Sequence, residues 1–272
     1  MESTPRLFDN EVEPLQGLAP WLGGKRALAR RIIREILRIP HRCYAEPFVG
    51  MAGVFMRRPQ RATAEVINDA SDDVVNLFRI VQRHPSALAD ELAGRMMSRS
   101  EFERMARLES EHLTDIERAA RFLFLQYAGF GGKVSGRTFG VDPGSPARFQ
   151  PARVMQLLRR VHRRLEGVVI EHLDAGAFLT RYDRPYTLFY LDPPYIGCED
   201  DYGAELFSAV DHRRIADHLA GLKGAFVLSI NDCDEARRLF GPLGSLIEVE
   251  LSYTINPEAA AVRRRELIVT NR

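Results

Sequence analysis

The sequence predicts a doubly wound α/β fold: a mostly parallel sheet with helices on both faces, interrupted by a small, mainly helical insertion. Three observations carry this. Strand and helix patterns alternate through the first 84 residues, the order of a parallel sheet built from strand–helix–strand units. The run "TLFYLD" (187–192) is apolar without polar alternation, as in strands buried on both faces. Between about Pro85 and Leu165 strand patterns give way to helical spacing, and strands then return. The expected division is residues 1–84 with 166–272 as one domain and 85–165 as the insertion.

The elements follow in order. Residues 1–20 read as a loose lead-in, and "MESTPRLFDNEVEP" is acidic and polar, unlike a signal peptide. "GKRALARRIIREIL" has apolar residues at helical spacing. "CYAEPFVG" is a short strand running into a glycine turn, and "AGVFMRR" is expected to continue as a helix. "AEVIND" is a second strand ending in Asp69, and "SDDVVNLFRIVQRH" a helix capped by Ser71. Inside the insertion "ALADELAGRMM", "DIERAARFLFLQYA" and "PARVMQLLRRVHRRL" are helical, with a glycine-rich loop before the last. "GVVIEHL", "TLFYLD", "AFVLSI", "LIEVELSY" and "RELIVTN" complete the strands, the last two as a hairpin at the sheet edge.

Composition narrows the class. A hydrophobic content of 45% supports a sizeable core, and no apolar run approaches the ~20 residues of a membrane span. Cys43, Cys198 and Cys233 are odd in number and widely spaced. They make neither a metal cluster nor a disulfide frame, which fits a reducing cytosol. A net charge of +1 gives no global basic signal for nucleic acid. Arginine nevertheless dominates the cations, with lysine only at positions 25, 133 and 223; arginine suits bidentate phosphate and guanine contacts.

Four constellations hold candidate chemistry. In "EPFVGMAGVF" (46–55), Gly50 and Gly53 after a strand let a ligand approach the backbone. Asp69, nineteen residues after Gly50, can accept hydrogen bonds from both hydroxyls of a ribose. Together they point to an adenosine-containing cofactor. In "WLGGK", Trp21 can cover an apolar group and Lys25 can pair with a carboxylate. The fourth is Asp192-Pro193-Pro194-Tyr195, where two prolines without N–H donors stop the strand. An exocyclic amine placed there donates one N–H to Asp192 and the other to the Pro193 carbonyl, whose direction the next proline fixes. Both bonds pull the nitrogen from planarity and aim its lone pair outward. Tyr195 offers a stacking ring, worth roughly 1–3 kcal/mol.

"WLGGK", "EPFVGMAGVF", "VINDASDDVVNLFRIV", "ERAARFLFLQYAGFGGK", "YLDPPYIG", "FVLSINDCDEARRLF" and "RRRELIVTN" occur in the order found in Dam-like adenine-N6 DNA methyltransferases, which the chain resembles from about Pro20 to Asn271. The resemblance implies a Rossmann-like methyltransferase in the alpha motif order, with S-adenosyl-L-methionine as cofactor and double-stranded DNA as partner. It implies cofactor contacts from Trp21, Lys25, Glu46, Phe48, Gly50, Gly53, Asp69 and Asp192, and catalysis by Asp192, Pro193, Pro194 and Tyr195. It implies base flipping, no metal, no membrane, a monomer or weak dimer, and a bacterial or phage-encoded protein of the cytoplasm, with or without a restriction endonuclease partner.

The insertion departs from well-known relatives. Gln126-Tyr127 and Gly131-Gly132 stand where those have Asn-Arg and Asn-Gly, so the GATC target is not carried over. The DNA contacts expected are Tyr127, Lys133 and Arg137 in and beside the glycine-rich loop, and Arg159, Arg160 and Arg163 on backbone phosphates. Methylation of cytosine N4, or of RNA or protein amides, is the rival enzymatic reading, and a DNA-binding module without catalysis is the rival from another class. A nicotinamide oxidoreductase fits less well, because the full dinucleotide loop is missing.

Overall fold

The computed structural model describes residues 10–25, 27–197, 207–253 and 262–272, with backbone alone for 251–253 and 262–264. Cys198, Arg26 and the first nine residues of the lead-in lie outside the described residues. Seven strands form one sheet: β1 (Cys43–Glu46), β2 (Ala64–Asn68), β3 (Val169–Glu171), β4 (Thr187–Leu191), β5 (Ala225–Asn231), β6 (Ser245–Tyr253) and β7 (Val262–Thr270). Their order is β3-β2-β1-β4-β5-β7-β6, all parallel except β7. Order reverses between β1 and β4, which opens a crevice at their carboxyl ends.

The central strands are apolar throughout because both faces are covered. β1 and β4 are buried along their whole length. On one face Tyr44, Ile67, Leu188, Tyr190, Val227 and Ile268 join a core with α1 (Ala29–Arg38), α2 (Asp72–Arg83), α3 (Pro85–Ala93), α4 (Arg99–Arg107), α5 (Asp115–Ala128) and α6 (Pro151–Arg164). On the other, Ala45, Phe189, Leu191, Phe226 and Leu228 pack with α7 (Ala175–Tyr182), α8 (Ala209–Ala220) and α9 (Asp234–Phe240). The helical segment 85–165 therefore has no separate core; Leu88, Phe102, Leu123 and Leu158 pack in the same cluster as α1 and α2.

The hairpin of β6 and β7 lies at the sheet edge as expected, with β7 paired to β5 and β6 outermost. Two expectations change. No α-helix follows the glycine turn: "AGVFMRR" makes turns and one 3-10 turn, Phe55–Arg57. Positive φ at Gly50 and Ala52 and Pro59 shortly after leave no room for helical continuation. Ser71 precedes α2 but its side chain makes no cap bond. Asp69 Oδ1 accepts from the Ser71 amide instead, at 3.0 Å.

Candidate active site

Three strand ends converge at the crevice through a period-2 pattern. Tyr44 and Glu46 on β1, Tyr190 on β4 with Asp192 just past it, and Ser229 and Asn231 on β5 each lie two residues apart, so each pair faces one side of the sheet. Tyr44 donates to Glu46 Oε1 at 2.5 Å, and the Tyr190 and Ser229 hydroxyls lie 2.9 Å apart. Ser229 donates to Asp192 Oδ1 at 3.2 Å. The Lys25 ammonium reaches the same oxygen, at 2.7 Å. Both of these contacts fall on Oδ1. Burial pushes the Asp192 carboxyl up from its ordinary value, and the Lys25 charge pulls it back. Glu46 is 1% exposed, and burial raises its pKa to about 8.

The acid and prolines are held from behind. His212 Nε2–H donates to the Pro194 carbonyl at 2.8 Å. The Asn231 carboxamide accepts from the Ile196 amide at 2.9 Å and donates to the Ile196 carbonyl at 3.1 Å. Tyr195 meets Lys25 twice: its hydroxyl accepts from the ammonium at 2.9 Å, and the ammonium sits 4.5 Å from its ring centroid.

A cavity of about 500 Å³ opens over these groups, within the range of cofactor sites. All eight residues expected at the cofactor line it: Trp21, Lys25, Glu46, Phe48, Gly50, Gly53, Asp69 and Asp192. Pro194 lines it too, whereas Pro193 and Tyr195 are not among its walls. Gly50, at φ +49°, is required by the fit: a Cβ there would lie 2.6 Å from the Trp21 indole nitrogen. Gly53 meets only ordinary contacts, so its glycine is not a steric need. Asp69 Oδ2 accepts from the Gly50 amide at 2.9 Å, which ties the glycine turn to the end of β2. Burial raises the Asp69 pKa to about 6.

The residues expected on DNA separate into two groups. Tyr127 is buried and its hydroxyl donates to the Leu18 carbonyl at 2.8 Å, which braces α5 against the segment that carries Trp21; it also lines the cavity. Arg137 likewise turns inward, donating to Gln126 Oε1 at 2.8 Å and to the Lys133 carbonyl at 3.1 Å, with its guanidinium 5.3 Å from the centre of the Phe122 ring. Gln126, fully buried, completes the brace with bonds to the Pro20 and Gly132 carbonyls. Lys133, Arg159 and Arg163 are exposed. Arg160 pairs with Glu13 at 2.6 Å. Arg164, next to Arg163 in the sequence, is buried: it binds Glu65 on β2 through two nitrogens, and Arg58 binds the same carboxylate at 2.8 Å.

A model of the D12 class N6 adenine-specific DNA methyltransferases matches residues 21–255. The chain belongs to that family. Among curated relatives, this D12-class methyltransferase is 26% identical to the type II methyltransferase M1.LlaDCHI of Lactococcus lactis subsp. cremoris, over 94% of this chain and 95% of the relative. It is 22% identical to the type II methyltransferase M.CviBI of Paramecium bursaria Chlorella virus NC1A, over 83% and 86%. Among solved structures, a precorrin 8W decarboxylase of Methanobacterium thermoautotrophicum aligns over 96% of this chain and 98% of the other at 11% identity and a TM-score of 0.41, too loose a likeness to carry function. The D12-class methyltransferase is thus a site-specific adenine-N6 DNA methyltransferase. Sequence reading missed Ser229, Asn231, His212 and Phe207 as parts of its site. The first two carried a signal, polar residues two apart at the end of an apolar strand. Phe207, which packs edge-on to Phe48 at 5.7 Å and lines the cavity, and His212 carried none. Among the described residues no helix is long and apolar enough to cross a membrane, and no group of three or more His, Cys, Asp or Glu is placed to hold a metal ion.

Proposed function

We propose that this enzyme binds S-adenosyl-L-methionine in the cavity and methylates N6 of an adenine flipped out of double-stranded DNA. The observation that carries this is that Asp69, Lys25 and Asp192, from three distant parts of the chain, line one cavity. The residues fit the cofactor: an acid at the exit of β2 for the ribose, a glycine that no side chain can replace under the Trp21 indole, and a carboxylate held through Oδ1 at the cavity wall. When bound, the cofactor supplies a methyl group on a positively charged sulfur. The chain orients the acceptor. Asp192 would accept one N–H of the exocyclic amine and the Pro193 carbonyl the other, which would turn the nitrogen lone pair away from the ring plane. On accepting the methyl group the nitrogen would become cationic and would shed a proton to the Asp192 carboxylate already bonded to it, while the electron pair of the donor's broken bond would remain on its sulfur. Catalysis is mainly alignment in a dry site.

Residues 1–84 and 166–272 form the catalytic part in this reading, and 85–165 the target-recognition insertion, working in the cytoplasm on nucleoid or phage DNA. Lys133, Arg159 and Arg163 are the cations presented to phosphates, with Arg160 after it exchanges Glu13 for DNA. Long-read detection of modified bases in cells producing the protein tests the reaction: N6-methyladenine in a fixed sequence context supports it, and N4-methylcytosine alone overturns it.

Two further outcomes are expected. Cofactor affinity should fall as pH drops through about 6, because protonated Asp69 offers fewer acceptors to the ribose. Asp69→Asn should weaken binding by roughly 1–3 kcal/mol and flatten that pH dependence; calorimetry showing an unchanged slope removes Asp69 from the ribose site. Arg159→Ala with Arg163→Ala should shallow the plot of log affinity for DNA against log salt by about two charges' worth. An unaltered slope moves the phosphate footprint elsewhere.

A further inference from the structure

Glu266 has no part in the reading above, yet it stands at the catalytic cluster. It lies on β7, 2% exposed, with Oε2 3.8 Å from the Lys25 ammonium. Its parity along the strand is that of Ile268, which packs on the same face as Tyr44 and Tyr190. Lys25 itself is 4% exposed and holds Asp192 at 2.7 Å. A buried ammonium paired with Asp192 alone would cancel the charge of the one carboxylate that meets the target amine. With Glu266 beside it, the Lys25 ammonium faces a second carboxylate.

We propose that Glu266 is a positioning residue of the methyl transfer: it holds Lys25 from the side of β7, so that Asp192 keeps its place and its negative field toward the cationic donor and the developing N6 cation. This rests on the assignment of the cavity to S-adenosylmethionine. The insertion of β7 between β5 and β6 is what brings Glu266 here, opposite Asn231 of β5, so the one antiparallel strand of the sheet acquires a role beyond closing the core.

The test is Glu266→Gln in the full chain, with Glu266→Asp as the conservative control and thermal unfolding to verify folding. Calorimetry is run with S-adenosylmethionine and with S-adenosylhomocysteine, which lacks the sulfur charge. Because the lost charge acts on a cation, Glu266→Gln should cut the affinity for S-adenosylmethionine about fivefold more than that for S-adenosylhomocysteine. It should lower kcat about tenfold with little change in KM for DNA, and Glu266→Asp should recover part of the loss. Equal weakening of both ligands with kcat and KM moving together would overturn the proposal and leave Glu266 a structural part of β7. Failure of the cofactor assignment looks different: the wild-type protein would bind neither ligand, before any Glu266 variant is compared with it.

Discussion

Asp192→Ala is expected to reduce methyl transfer at least about 10³-fold, in line with removing a preorganised group that acts on charge developing in the transition state. The variant should fold and bind DNA nearly as the wild type does, since Asp192 stands at the cavity wall and not under a helix of the core. Two effects add. The amine loses its acceptor, and Lys25 loses the partner at 2.7 Å, retaining Glu266 at 3.8 Å and the Tyr195 hydroxyl at 2.9 Å. Asp192→Asn separates them: it restores the shape and one acceptor oxygen but not the charge, so it should recover only a minor part of the rate. Single-turnover methylation of a duplex containing the mapped site checks both. Turnover of Asp192→Ala within about tenfold of wild type would contradict the role given to this carboxylate.

Arg164→Ala and Arg163→Ala, neighbours on α6, should part company completely. Arg164 is 5% exposed and grips both oxygens of Glu65, itself 4% exposed. Its guanidinium also lies 4.1 Å from the centre of the Phe55 ring. Removing it leaves a buried carboxylate with Arg58 and the longer contact from Arg61. Breaking a buried pair costs about 3–5 kcal/mol, and Arg58 should hold the loss near the lower bound. For a chain of this size that is a fall in Tm of roughly 6–12 °C. Arg163 is exposed, and its loss should leave Tm within about 1–2 °C while weakening DNA binding. A reversed pattern, with Arg164→Ala stable and defective on DNA, would mean that α6 is docked differently from the arrangement described.

The two arginines show where linear reading stops. A basic helix displays its charges in sequence without saying which face is inward; adjacent residues on α6 point about 100° apart, and only the position of Glu65 on β2 decides that Arg164 is the buried one. Gln126 and Tyr127 show the same limit. They sit at the end of α5, where a DNA contact was expected of Tyr127, and their side chains turn to the Pro20 and Leu18 carbonyls. The glycine turn was legible as a turn but not as a site without a following α-helix, because nothing local records how short the link to β2 must be.

By itself the sequence determined the parallel α/β class, all seven strands, the strand-ending Asp192 and the family motifs. These are written in local periodicity and in residues with unusual backbone demands, which no neighbour can override cheaply. Tertiary structure alone decided the insertion of β7, the face each arginine takes, and the meeting of Lys25, Asp192 and Glu266, which lie up to 241 positions apart. Those outcomes depend on which buried charges find partners, and a buried charge is tolerable only when folding brings an opposite one within reach.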